Sequence, residues 1–135
     1  GYNAPGNMNK LKNFVLRLPI LPFKNINNQR SIIGINNLLH FMDLVIQKRA
    51  RGIFIPQDAL PYATKNLILE ISTAYKKSVF ICNMPSSVMA MLLKYLPKQT
   101  QSLFGTLVFD TSDSNKTLNF TPPFSTAEEL KNMCQ

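Results

Sequence analysis

The sequence predicts an α/β chain, mainly helical, with three or four short strands. Two observations carry that expectation. Apolar residues recur at the spacing of one helix face in several windows, most clearly at Leu67, Ile68 and Ile71. Between those windows lie short apolar or β-branched runs: Ile32, Ile33 and Ile35, then residues 53–55, then residues 79–82. At 135 residues and 45% hydrophobic composition the chain can bury one ordinary core, and no internal repeat divides it. A single unit over residues 1–135 is expected.

Residues 1–9 are rich in Asn, Gly and Pro and read as a loop entering a helix that begins at Asn7 or Asn9 and ends at Leu18. Leu11, Phe14, Val15 and Leu18 share its apolar face, and Lys10, Lys12, Asn13 and Arg17 its basic one. Pro19 and Pro22 push the apolar stretch around them into an extended loop, because proline restricts its neighbour and lacks an amide donor. After a polar turn at residues 24–29 comes QRSIIGINNLLHF, residues 29–41, in which a β-branched strand passes through Gly34 into a helix. Asn36 or Asn37 can cap that helix by accepting from the unpaired N–H groups of its first turn. Arg30 opens the strand, where a rigid element can aim a permanent, forked cation at an anionic group.

The helix that follows carries Leu38, Leu39, Met42, Val45 and Ile46 in register, with Lys48, Arg49 and Arg51 near its negative C-terminal end. Gly52 ends it. Residues 53–55 are a strand that Pro56 terminates or confines to an edge. Thr64 is expected to cap a helix reaching Tyr75, with Leu67, Ile68, Ile71 and Ala74 inward. Residues 79–82 form another strand, and Pro85 opens an apolar helix that stops at Pro97. Residues 103–109 are apolar around Gly105, and Thr111 or Ser112 caps a short helix to Leu118. Ser125 or Thr126, with Glu128 and Glu129 in the first turn, opens a terminal helix to Met133.

Fifteen Lys and Arg against seven Asp and Glu leave a formal charge of +8, which asks for an anionic partner. The cations are scattered, and no RNA-recognition, zinc-finger or basic-zipper signature accompanies them, so nucleic acid is not the expected partner. A stand-alone basic module binding nucleic acid or another polyanion is the alternative reading. The chain has no apolar run of about 18 residues, and GYNAPGNMNK lacks a signal-peptide layout, so a cytoplasmic protein without a membrane span is expected. Cys82 and Cys134, with no CxxC spacing and a single His, do not suggest zinc.

No self-sufficient catalytic constellation is evident. His40, early in an apolar helix without an acidic partner, reads as scaffold. The residues four after Tyr2, Tyr62, Tyr75 and Tyr95 are Gly6, Asn66, Val79 and Gln99, so no Tyr-x-x-x-Lys pair exists, and the five glycines are too dispersed for a dinucleotide fingerprint.

In order and spacing, GYNAPGN, NQRSIIGINNL, GIFIPQDALPYATKNLI, FGTLVFD and PPFSTAEELKNM resemble the C-terminal half of extended short-chain dehydrogenases/reductases. Within that family they are most similar to the bacterial NAD-dependent sugar-nucleotide epimerase/dehydratases of surface-polysaccharide synthesis, the UDP-glucose 4-epimerase-like group. The resemblance implies the C-terminal part of a Rossmann-type extended fold that lacks its glycine-rich nucleotide-binding half, with Tyr2 in the proline position of a Tyr-Gly-Pro-like loop. Residues 53–56 then match a strand returning to the missing sheet, and an uncovered apolar patch is expected on that side and along residues 38–46.

The same resemblance implies a UDP-sugar substrate, with NAD in the intact enzyme and none bound by this part alone. The missing half, a covering subunit or a homo-oligomer would be its partner. Asn7 matches a residue that holds the diphosphate-sugar region. Leu21, Pro22 and Phe23 match the segment lining the nucleotide base, and Arg30 matches an arginine that contacts the diphosphate. Gly34 departs from the family pattern, where an aromatic residue or His is common, and Asn36 stands where Asp is common. Asp110 matches the Asp of a helix start and is expected to act as a structural cap.

Overall fold

The computed structural model describes residues 7–95 and 97–134. The chain is α/β: among the described residues, helices make up most of the structure and two short strands form one parallel ladder. Helix α1 (Asn7–Arg17) buries Leu11 and Val15 but leaves Phe14, and Leu18 just past its end, nearly half exposed, so the apolar stripe is narrower than the spacing alone suggests. It leads into β1 (Ile20–Leu21), which pairs with β2 (Phe80–Ile81), Ile20 opposite Phe80 and Leu21 opposite Ile81. The sequence points to a loop here, yet the prolines do not interrupt the ladder. Pro19 contributes only its carbonyl, which accepts from the Phe80 N–H at 2.8 Å, and the Leu21 carbonyl accepts from the Cys82 N–H at 3.0 Å.

Helix α2 (Ile35–Gln47) starts directly after Gly34, which holds the N-cap position in extended backbone without any side-chain cap. Neither Asn36 nor Asn37 caps it; both lie inside the helix. At the other end Lys48 follows the last turn and donates from Nζ to the Leu118 carbonyl at 2.7 Å, and Gly52 takes φ 134°, a conformation that favours glycine. Helix α3 (Thr64–Ala74) has Ala63 as its N-cap, with Thr64 as first helical residue instead of cap. Its Leu67, Ile68 and Ile71 are buried, as their spacing predicts.

Helix α4 (Ser86–Tyr95) is followed by α5 (Pro97–Phe104), an element that sequence periodicity does not reveal. Proline stops one helix and opens the next, since a first-turn position needs no N–H donor. Helix α6 (Ser112–Leu118) and α7 (Thr126–Cys134) complete the chain. Residues 32–35 and 53–55 form no ladder with another described strand. Ile53 is 94% exposed, while the Ile55 N–H donates to the Ser114 hydroxyl at 3.0 Å.

Helix α3 packs against both α1 and α7. Their shared core holds Leu11, Val15, Leu21, Ile68, Ile71 and Leu130. A second cluster joins Phe41 of α2 to Leu118 of α6 and to Phe120, whose ring meets Phe41 edge-on at 4.9 Å. No helix among the described residues is long and apolar enough to cross a membrane.

Candidate functional site

Residues 28–34 are threaded between two other segments and fixed on both sides. The Arg30 N–H donates to the Tyr62 carbonyl at 3.0 Å and its carbonyl accepts from the Tyr62 N–H at 2.8 Å, an isolated antiparallel bridge. On the opposite side the Leu107 N–H donates to the Gln29 carbonyl and the Ser31 N–H to the Leu107 carbonyl, each at 2.8 Å. Ser31 extends this with its side chain: its hydroxyl donates to Gln57 Oε1 and accepts from the Phe109 N–H at 2.9 Å. Asn28, buried, donates to the Thr64 hydroxyl at 2.7 Å and accepts from the Thr64 N–H at 3.2 Å. The backbone carrying Arg30 is therefore held by amide bonds on each flank.

A polar hub that the sequence reading misses lies just beyond Arg30. Asp58 is buried, and its carboxylate accepts from the Gly34 N–H at 3.1 Å, from Asn37 Nδ2 at 2.7 Å and from the Thr126 hydroxyl at 2.8 Å. Asn37 also donates to the Phe124 carbonyl at 2.9 Å and accepts from the Phe124 N–H at 3.0 Å. One carboxylate and one amide thus join the Arg30 segment, the start of α2 and the start of α7. The Asn pair was visible in the sequence, but its partners lie 21 and 87 residues away, beyond the reach of a local pattern.

The candidate residues fall into three groups. Leu21 and Phe23 are core side chains, and the Phe23 ring stacks on Phe104 at 4.9 Å. Pro22 and Arg30 are half-buried. Asn7 is the first residue of α1, and its side chain lies outside the described part of the structure, as does Tyr2. Downstream of the proline-flanked strand opens a cleft of about 380 Å³, walled by Ile26, Asn28, Met89, Thr100, Phe104 and Thr106. It combines apolar surface with amide and hydroxyl groups, but the Asn28 amide is already engaged by Thr64 and Gly105, and Leu21, Pro22, Phe23 and Arg30 are not among the residues that line it.

Other titratable groups have structural explanations. Burial raises the Tyr62 phenol above its ordinary value, and the nearby Glu70 carboxylate, which accepts from it at 3.4 Å, raises it further. Tyr62 is thereby made a poorer acid, not an activated base. The N-cap residue of α6 is Thr111, without a side-chain cap bond, and Asp110 stands before it; hydrogen bonds from the Ser112 side chain first and from its N–H, at 2.9 Å, second lower the Asp110 carboxyl pKa. His40 is exposed, its ring 6.1 Å from that of Phe120.

Among curated proteins, the chain is 29% identical over 140 aligned residues to a UDP-glucose 4-epimerase of Vibrio cholerae. The alignment takes in all of this chain and 43% of that enzyme, so the chain spans less than half the length of its relative. No family model matches the sequence. No solved structure matches it either. The full-length likeness supports a relationship to epimerase-like proteins.

Proposed function

We propose that this chain is the substrate-binding part of an NAD-dependent nucleotide-sugar epimerase or dehydratase of surface-polysaccharide synthesis, and that it orients a UDP-sugar. The observation that carries the reading is the alignment itself, which matches the chain from end to end with less than half of a UDP-glucose 4-epimerase. Arg30 supports it through its geometry: its backbone is paired on both flanks, and a guanidinium forks onto two phosphate oxygens where an ammonium meets them only as a point charge. The cleft beside Ile26 and Phe104 is the proposed seat of the base.

The catalytic tyrosine and the NAD site are assigned to residues outside these 135. The glycines described here do not fit a dinucleotide loop: Gly34, Gly52 and Gly105 are far apart in sequence, and Gly34 is packed against the Glu129 side chain. No chemical step is therefore assigned to this chain; its contribution is to bind, orient and exclude water.

Calorimetric titration of the full-length protein with UDP-glucose, UDP, UMP and uridine tests the proposal. The expected ranking places both diphosphates well ahead of UMP and uridine. Equal affinity for all four, or strongly salt-dependent binding to single- or double-stranded nucleic acid with none to UDP-sugars, would favour a basic binding module instead.

A further inference from the structure

Residues 106–110 run beside the Arg30 segment, parallel to it at Leu107, and contain no turn. Leu107 turns both of its backbone groups inward: its N–H donates to the Gln29 carbonyl and its carbonyl accepts from the Ser31 N–H. The Phe109 N–H also points inward, to the Ser31 hydroxyl. Backbone groups alternate in direction along a strand, so Val108 between them turns its N–H and carbonyl outward. Among the described residues neither of those groups has a hydrogen-bond partner. Leu107, Val108 and Phe109 are 47%, 47% and 44% exposed. Soluble proteins usually blunt such an edge with proline or lysine. Pro19 and Pro22 flank β1 in this way, but the TLVFD stretch of residues 106–110 carries neither residue.

We infer that this edge pairs with the same edge of a second copy of the chain, antiparallel and centred on Val108. The stretch is complementary to itself in that register. Val108 faces Val108 and exchanges two N–H···O bonds with it. Leu107 faces Phe109, apolar against apolar, and Thr106 faces Asp110. The Thr106 hydroxyl oxygen accepts from the Gln29 N–H at 3.3 Å, which leaves its hydrogen to donate to the Asp110 carboxylate of the second copy. A two-fold axis at Val108 repeats every contact, so the pairing closes as a dimer. Other centres fit worse: centring on Asp110 sets two carboxylates face to face, and centring on Thr106 runs the strands into α5, which ends at Phe104. The pairing does not rest on the substrate reading.

Sedimentation of the 135-residue chain from micromolar to millimolar concentration, with amide exchange read by NMR at both ends of the range, tests this. A monomer–dimer equilibrium is expected in which the Val108 amide gains protection as concentration rises. Thr106→Asp sets a like charge against Asp110 and should weaken the dimer, whereas Thr106→Lys sets an opposite charge there and should tighten it. Each change should be roughly two- to thirtyfold in dissociation constant, because the pair occurs twice. The overall charge of +8 would by itself favour the reverse order, so the sign identifies the register. Thr106 is exposed, and the Val108 exchange of the unaltered chain needs no variant at all. The inference is overturned if the chain stays monomeric throughout, if it dimerises while the Val108 amide still exchanges fast, or if the two variants shift the equilibrium in the same direction. Val108 protection that is independent of concentration in the full-length protein would give the edge to another segment of that protein, and overturns it as well.

Discussion

Gly34 and Glu129 are two halves of one contact. A methyl group on Gly34 would sit 2.1 Å from Glu129 Cγ and 2.4 Å from Cδ, so the glutamate occupies the space that a side chain at residue 34 would need. The family that the sequence resembles often carries an aromatic residue or His at this place, and the Glu129 contact leaves no room for either. Gly34→Ala is expected to destabilise the fold by about 1–3 kcal/mol through overpacking. Adding Glu129→Ala should return part of that loss, a coupling of about 0.5–3 kcal/mol for groups in contact. Urea denaturation of the two single variants and the double variant measures it, and strictly additive losses would contradict the contact.

The Asp58 hub sets a second expectation. Its oxygens accept from Gly34, Asn37 and Thr126, so Asp58→Asn replaces an acceptor with a donor facing other donors. Each buried donor left without a partner costs about 1–3 kcal/mol. The loss should appear as a lower denaturation midpoint, together with faster amide exchange at Gly34 and Phe124, because the hub ties α2 to the entry of α7. Fast exchange confined to Gly34 would show that the hub is not shared.

Ser125 and Glu128 form a reciprocal cap on α7: Glu128 Oε2 accepts from both the Ser125 N–H and the Ser125 hydroxyl at 2.8 Å, and the Ser125 hydroxyl accepts from the Glu128 N–H at 3.3 Å. The backbone bond first and the hydroxyl bond second lower the Glu128 pKa from its ordinary 4.5. A carboxylate with a depressed folded-state pKa stabilises the fold above its unfolded pKa and loses that contribution as pH falls through the folded one. The stability gap between wild type and Glu128→Gln should therefore be present above pH 4.5 and close on acidification below it. Thermal melts across that range check the sign, and a gap that widens in acid would refute it.

How much of this was legible in the sequence depends on how local each signal is. The burial of Leu67, Ile68 and Ile71 follows from spacing along one helix, and the α7 cap from residues three apart. The Ile32, Ile33 and Ile35 run reads as a strand, but Ile35 is already the first residue of α2 and the Ile32 carbonyl accepts a lone bond from the Asp58 N–H, so no ladder forms there. The Asn pair reads as a cap, yet Asn37 is claimed by Asp58 and Phe124, which no local rule foresees. Helix α5 was hidden because Pro97 reads as a stop when it is also a start. At the candidate site, Arg30 could be named from its motif, whereas Asp58 is defined by partners brought together only in the folded chain.

Helix α2 presents Ile35, Leu39, Met42 and Ile46 to solvent along one stripe, and Ile53 is exposed as well. On the proposed function this stripe is covered by the rest of the enzyme. Leu39→Lys with Ile46→Lys should then change the stability of the isolated chain by less than about 0.5 kcal/mol per site, yet lower the melting temperature of the full-length protein. No difference between the two settings would argue against a covered face.

Arg30 carries the central claim that this chain holds the diphosphate of a nucleotide sugar. Calorimetry of the full-length protein with UDP-glucose, comparing wild type, Arg30→Lys and Arg30→Ala, tests it most directly. Loss of a charge-assisted forked contact should weaken binding by roughly 10- to 100-fold in Arg30→Ala and by less in Arg30→Lys, with uridine affinity unchanged. UDP-glucose affinity equal in all three proteins would contradict the account.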